Sequence, residues 1–171
     1  MIAALPPKPA TPRKVLIIKP SSLGDVVTAL PVLRGLRRTF PATRVSWLLS
    51  TACAPLLADD GDLDEIVPFD RRRMGRAWRS PAAVRLLAGF LAALSRGGFD
   101  WVIDLQGLFR SGFFALATGA EVRAGFADAR EGAWAFYTHR HRPAERHTVD
   151  RNVSLARMLG IDARREDMTL R

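Results

Sequence analysis

Residues 15–33, Val15-Leu-Ile-Ile-Lys-Pro-Ser-Ser-Leu-Gly-Asp25-Val-Val-Thr-Ala-Leu-Pro-Val-Leu33, constrain the fold more than any other part of the chain. The apolar run Val15 to Ile18, rich in β-branched residues, fits a strand buried on both faces of a parallel sheet. Pro20-Ser-Ser-Leu-Gly24 is a turn signal. An amphipathic helical pattern starts at Asp25, carries Val27, Leu30, Val32, Leu33 and Leu36, and ends in Arg37-Arg38 at the favourable end of the helix dipole. Pro31 lies inside this pattern and predicts a kink or an early break. Asp25 therefore stands where a strand becomes a helix, at the carboxyl edge where open α/β sheets hold their ligands. The backbone N–H groups of Ser22 to Val26 are expected to face the same crevice and suit an anion. Two readings of Asp25 stand side by side: a carboxylate that works on a ligand, and a residue that only caps a helix.

The alternation continues along the chain. Arg44–Leu49 reads as a second strand, residues 52–57 as a short helix, and Glu65–Phe69 as a third strand whose Pro68 favours an edge or strand-end position. Ser80 and Pro81 fit the N-cap and first position of a helix with Val84, Leu87, Leu91 and Leu94 as its stripe, Phe90 beside it and Gly97-Gly98 as its stop. Residues 101–105 form a fourth strand, Gln106-Gly107 a tight turn, residues 110–116 a helix closed by Gly119, and Val122–Phe126 a fifth strand. Thr148 can cap a last helix carrying Val149, Val153, Leu155 and Leu159, with Gly160 at its end. This order predicts an α/β fold, a Rossmann-like, doubly wound, mostly parallel sheet. Residues 1–13 are expected to be a flexible tail and residues 14–162 the folded domain.

The 171 residues, 48% of them hydrophobic, suffice for the core of one domain of ordinary size. Cys53 is the only cysteine, which excludes a disulfide framework. No His or Lys stands near it, so it reads as a buried structural thiol. The N-terminal residues lack the apolar core of a signal peptide, and the longest apolar candidate, around Leu86 to Leu94, is too interrupted to span a bilayer. A cytoplasmic protein is expected. The net charge of +9 favours an anionic partner: a phosphorylated substrate, an acidic membrane surface or nucleic acid.

Several motifs fail on inspection. Lys19 to Asp25 lacks the Gly-Lys-Ser/Thr of a Walker loop and is no G-x-G-x-x-G fingerprint. Asp60-Gly-Asp-Leu-Asp64 starts like a calcium loop, but Glu65 stands at position six and Arg71 at position twelve, so it reads as a solvated acidic turn. His139, His141 and His147 have no standard metal spacing, and Arg140, Arg142 and Arg146 beside them repel a cation.

Other motifs gather at one edge. Arg71-Arg72-Arg73-Met-Gly-Arg76-Ala-Trp-Arg79 is a dense basic loop after the third strand. Guanidinium forks match phosphate and carboxylate oxygens two at a time. A solvated basic loop is the competing reading, and Trp78 alone is a weak sign of nucleic acid. Asp104-Leu-Gln-Gly107 ends the fourth strand, with Asp104 either facing a ligand or capping its loop. Gly125-Phe-Ala-Asp-Ala-Arg130-Glu131 leaves the fifth. Four turns thus converge on one crevice, which says more than any one of them.

Ile17-Ile-Lys-Pro-Ser-Ser-Leu-Gly-Asp-Val-Val27 with Leu30-Pro31, Asp104-Leu-Gln-Gly-Leu-Phe-Arg-Ser111, Gly125-Phe-Ala-Asp-Ala-Arg-Glu131 and His147-Thr-Val-Asp-Arg151 together resemble glycosyltransferase family 9, the heptosyltransferases of lipopolysaccharide core synthesis, with heptosyltransferase I the nearest pattern. The resemblance runs from about Lys14 to Ile161. It implies a GT-B architecture of two Rossmann-like domains, this chain being the N-terminal, acceptor-binding one. It also implies a Kdo-lipid A acceptor, ADP-heptose as donor, inverting transfer by direct displacement, and neither metal nor cofactor. Asp25 matches the general base, a role its position at a ligand-bearing edge also fits. A helix dipole would keep it ionised. Ser21, Ser22 and Gly24 would shape the turn. Arg71, Arg72, Arg73 and Arg76 correspond to the region expected to meet acceptor phosphates and carboxylates. Arg130 matches an active-site arginine, and Gln106 and Arg110 complete the expected substrate contacts.

Residues 163–171 read as the start of an interdomain segment, with the donor domain absent from this chain, so the 171 residues alone are expected to be inactive. The resemblance places the protein in the cytoplasm, peripheral at the inner membrane of a Gram-negative bacterium. The alternatives are a same-family transferase with another sugar donor and a non-catalytic basic α/β module. Asp25 argues against nucleic acid as partner, since a carboxylate in an anion site repels phosphate.

Overall fold

A computed structural model describes residues 10–74 and 80–170, with the backbone alone for Arg71 and Arg72. Six strands, β1 (Lys14–Ile18), β2 (Arg44–Ser50), β3 (Glu65–Phe69), β4 (Trp101–Asp104), β5 (Val122–Phe126) and β6 (His139–His141), form one sheet in the order β3-β2-β1-β4-β5-β6. Each neighbouring pair is parallel. The chain starts at the centre, winds outward to β3, returns past β1 and winds outward to β6.

Helices α1 (Leu23–Val27), α2 (Leu30–Thr39), α3 (Arg71–Met74), α4 (Pro81–Arg96), α5 (Phe109–Ala117) and α6 (Thr148–Met158) accompany the sheet. Both sheet faces are covered. Val15 and Ile17 of β1 point into a core with Leu33 of α2 and Leu155 of α6, whereas Leu16 and Ile18 point into one with Leu94 of α4 and Phe114 of α5. This two-sided burial is why β1 reads as an unbroken apolar run.

The expected strands β1 to β5 and their flanking helices are present. β6 was not expected: His139-Arg-His141 has no apolar residue and exists as a strand only through its pairing with β5. The turn Ala54–Leu57 is a 3-10 helix, shorter than expected. Pro31 does break its helix. The chain leaves α1 at Thr28 and restarts at Leu30, placing Pro31 in the first turn of α2, where its missing N–H costs nothing. The first helix begins at Leu23 rather than Asp25. His147, not Thr148, precedes α6.

The acidic turn is not merely solvated. Asp60 is buried and accepts from both terminal nitrogens of buried Arg34 at 2.5 and 2.6 Å, and Asp62 accepts from the same guanidinium at 2.9 Å. Arg34 also donates to the Thr169 carbonyl, tying residues 163–170 to α2. Cys53 is buried, as expected of a structural thiol.

Candidate functional site

The parallel β1–β2 and β1–β4 pairings bring the turns after β1, β3, β4 and β5 to the carboxyl edge of the sheet. They line two adjoining pockets. The smaller, of about 260 Å³, holds Lys19, Asp25, Gln106, Asp128, Arg130 and Arg151, with Thr148 and Asn152 from the start of α6. The larger, an open groove of about 840 Å³, is lined by Ser21, Asp70, Arg73, Gln106, Arg110 and Glu131 among others. Gln106 belongs to both.

Asp25 is the third residue of α1, and the local structure is a capping box. Its Oδ2 accepts from the Ser22 N–H at 3.0 Å and the Ser22 hydroxyl at 3.2 Å. Its Oδ1 lies 3.5 Å from Lys19 Nζ. Lys19 is 5% exposed, and its ammonium also donates to the Leu105 carbonyl at 3.1 Å. Burial works to raise the Asp25 pKa, but the Ser22 N–H and the Lys19 ammonium outweigh it and hold the carboxyl below its ordinary value. Burial lowers the Lys19 pKa, opposed by Asp25 and Asp104. Asp25 thus takes part in helix capping and still presents a partly exposed, ionised carboxylate to the pocket.

Two of the five backbone N–H groups expected to face a ligand are engaged within the turn: the Ser22 N–H goes to Asp25 and the Val26 N–H to the Ser22 carbonyl. Positive charge in the small pocket comes from side chains: Lys19, Arg130 and Arg151. Arg151 is bound to Asp128 at 2.8 Å.

Asp104 sits at the end of β4, fully buried, and serves as the loop cap rather than as a ligand-facing group. It accepts from the Gln106 N–H at 2.9 Å, the Gly107 N–H at 3.2 Å and the Tyr137 hydroxyl at 2.7 Å. Burial pushes its carboxyl above the ordinary value against the Tyr137 and Ser111 hydroxyls and the two backbone N–H groups, and burial also pushes the Tyr137 phenol up. A Cβ on Gly125 would overlap the Tyr137 ring, so glycine there is what lets the tyrosine cross β5 to reach Asp104. Gly107 takes φ +67°, and its carbonyl accepts the Arg130 N–H at 3.0 Å, locking the turns after β4 and β5 together. The Gln106 side chain is aimed by this arrangement, and its Oε1 is buried without a hydrogen-bond partner among the described residues.

The structure therefore divides the expected site residues. Asp25 and Arg130 share the small pocket; Ser21, Arg73 and Arg110 line the groove; Gln106 joins the two. Ser22 and Gly24 are exposed at the start of α1 and line neither. A Cβ on Gly24 would meet nothing within 4 Å, so nothing inside the chain requires glycine there. The basic segment is not all loop: Arg71 to Met74 form α3. The side chains of Arg71 and Arg72 and all of residues 75–79, Arg76 and Trp78 included, lie outside the described residues. Lys19, Arg151 and Tyr137 were not singled out from sequence. Lys19 carries a signal as one of three lysines against twenty-three arginines, closing an otherwise apolar strand, and Arg151 closes the motif His147-Thr-Val-Asp-Arg151. The described residues contain no cluster of three His, Cys, Asp or Glu able to hold a metal ion.

Residues 88–169 match the model of glycosyltransferase family 9 (heptosyltransferase). The lipopolysaccharide heptosyltransferase 1 of Salmonella typhimurium is 33% identical over 154 residues, 87% of this chain. The chain belongs to glycosyltransferase family 9. Lipopolysaccharide heptosyltransferase 1 of Pseudomonas aeruginosa is 31% identical over 150 residues. Among solved structures, the E. coli heptosyltransferase WaaC with ADP-2-deoxy-2-fluoro heptose superimposes with a TM-score of 0.78 and 30% identity over 88% of this chain. The family 9 chain spans about half the length of these relatives: 49% of the Salmonella protein, 41% of the Pseudomonas protein and 50% of the WaaC chain.

Proposed function

We propose that this chain is the acceptor-binding domain of an inverting GT-B heptosyltransferase, which transfers heptose from ADP-heptose to Kdo-lipid A in lipopolysaccharide inner-core synthesis. The observation that carries the reading is Asp25: an ionised carboxylate, anchored by Ser22 and Lys19, facing a pocket with Arg130 beside it. A general base must be ionised, fixed and within reach of a hydroxyl. As an acceptor oxygen attacks the anomeric carbon, Asp25 takes its proton, the carbon–oxygen bond to ADP breaks, and ADP leaves with the electron pair. Attack opposite the leaving group inverts the anomeric centre.

In this reading Arg130 neutralises acceptor charge beside Asp25. Arg73 and Arg110 receive the phosphates and carboxylates of the acceptor in the larger groove, and Arg71, Arg72 and Arg76, in the same basic segment as Arg73, belong to the region that the family resemblance assigns to the acceptor. Gln106, which lines both pockets, hydrogen-bonds the sugar between them. Ser21 lines the groove, while Ser22 and Gly24 shape the turn. Gly24 leaves room for a ligand to approach the backbone. Donor binding belongs to a second domain, to which residues 163–171 lead. Neither metal nor cofactor takes part, and nucleic acid is not a partner. With a lipid acceptor, the protein works in the cytoplasm, in peripheral contact with the inner membrane. No helix among the described residues is long and apolar enough to cross one.

Calorimetric titration of this chain tests the reading. A delipidated Kdo-containing acceptor is expected to bind, ADP-heptose is not, and Asp25→Ala is expected to keep acceptor binding. Binding of ADP-heptose without the acceptor, or of neither ligand, overturns the assignment as acceptor domain.

A further inference from the structure

Five of the nine large apolar side chains exposed among the described residues lie on α4 and α5: Val84, Leu86, Phe109, Phe113 and Leu116. In α5 the residues facing inward are Ser111, Gly112, Phe114 and Ala115. Phe109, Phe113 and Leu116, at i, i+4 and i+7, form a second stripe that faces out. A helix apolar on both sides is not the pattern of a solvated surface helix. Beside this stripe Phe136 stands edge-on to Phe109 and Phe113, at 5.2 and 6.3 Å between ring centres. The ring of Trp134, 45% exposed, carries the Arg140 guanidinium 5.2 Å above it. The Phe90–Phe114 contact, 5.1 Å between ring centres, packs α4 against α5 on the same face of the sheet. Small residues dominate the outer side of α4: Ala82, Ala88, Gly89 and Ala93 are exposed, with Val84 and Leu86, two positions apart, on its opposite flanks.

The two helices carry charge of one sign. Helices α4 and α5 contain Arg85, Arg96 and Arg110 and no acidic residue. The acid at their border is Glu131, whose Oε2 accepts the Phe109 N–H at 3.2 Å. Exposed aromatics and leucines among arginines match the headgroup layer of an anionic bilayer. Rings and aliphatic side chains enter the acyl boundary there while guanidinium groups meet phosphates.

We propose that the outer surface of α4, α5 and residues 130–136 docks the protein on an anionic membrane. This deepens the peripheral contact proposed above by naming its surface; it rests on that reading of the partner and not on the sugar chemistry. Leu108, Arg110 and Ser111 at the start of α5 line the larger groove, so a bilayer seated on this face lies beside the groove's mouth. A lipid-borne acceptor then has a short path from membrane to site.

Sedimentation of the full chain with vesicles of phosphatidylcholine, with and without phosphatidylglycerol, tests the proposal without any acceptor present. The chain is expected to pellet with the anionic vesicles at low salt and to stay in solution with the neutral ones. Leu86→Ser/Phe109→Ser/Leu116→Ser is expected to weaken partitioning more than ~10-fold while leaving binding of the delipidated acceptor unchanged. Should the triple variant fail to fold, Leu86→Ser and Leu116→Ser singly carry the comparison. Wild-type partitioning by the folded variants overturns the proposal, as does failure of the wild-type chain to bind anionic vesicles. Concentration-dependent self-association, abolished by the variant in a chain that ignores vesicles, also overturns it and assigns the face to a second copy. Each of these failures leaves the acceptor titration untouched.

Discussion

Lys19 Nζ lies 3.5 Å from Asp25 Oδ1, with the lysine buried and the carboxylate partly open to the pocket. The lysine cannot turn away, because its ammonium is also held by the Leu105 carbonyl. An attraction between a buried cation and a half-open anion is less screened than a surface pair. Together with the Ser22 N–H and hydroxyl, it fixes the position and the ionisation of the proposed base.

Lys19→Met removes that cation at nearly constant volume. The Asp25 carboxyl is then expected to titrate at higher pH than in the wild type, as followed by carbon-13 NMR of its side chain. In the wild type the folded state holds Asp25 below its unfolded value near 4. Its contribution to stability is therefore present above that value and lost as pH falls through the folded pKa. An unshifted midpoint in the variant would show that Ser22 alone sets the charge.

Tyr137→Phe deletes the donor to buried Asp104 and is expected to cost ~1–3 kcal/mol in urea unfolding at neutral pH. Burial raises the Asp104 pKa, so its ionised form is the unfavourable one and stability attached to it falls as pH rises above about 4. The tyrosine hydroxyl offsets part of that cost. The penalty of the variant should accordingly be larger at pH 7 than at pH 4. A penalty independent of pH would mean that Asp104 stays protonated throughout.

Gly24→Leu places a side chain where the fold leaves open space. Its melting temperature is expected to stay within ~2 °C of the wild type or rise slightly, because leucine favours the helix. Acceptor affinity is expected to fall ~10-fold or more, since a ligand approaching the backbone meets the new side chain. Unchanged affinity in calorimetry would remove Gly24 from the site.

Arg34→Met leaves Asp60 buried without its bidentate partner and is expected to destabilise the domain by ~3–5 kcal/mol, read by thermal unfolding. Arg34→Met/Asp60→Leu should recover much of this loss. A single variant as stable as the wild type would mean the pair contributes nothing net.

The sequence by itself determined the central strand, the break at Pro31, the alternation that makes a parallel sheet and the convergence of four turns on one edge. These are local signals: an apolar run, a proline and repeated strand–turn–helix periods each declare themselves within a few residues. Tertiary structure alone decided the rest. His139-Arg-His141 is a strand because β5 offers it partners. Asp60 reads as solvated until α2 brings Arg34 to it. Asp104 resolves as a loop cap only when Tyr137, 33 residues on, reaches across Gly125. Even the Asp25–Lys19 pair, six residues apart, takes its geometry from the Leu105 carbonyl, 86 residues from the lysine. A charge buried among apolar neighbours must find a partner, and which partner it finds is set by packing between distant segments, which no local pattern encodes.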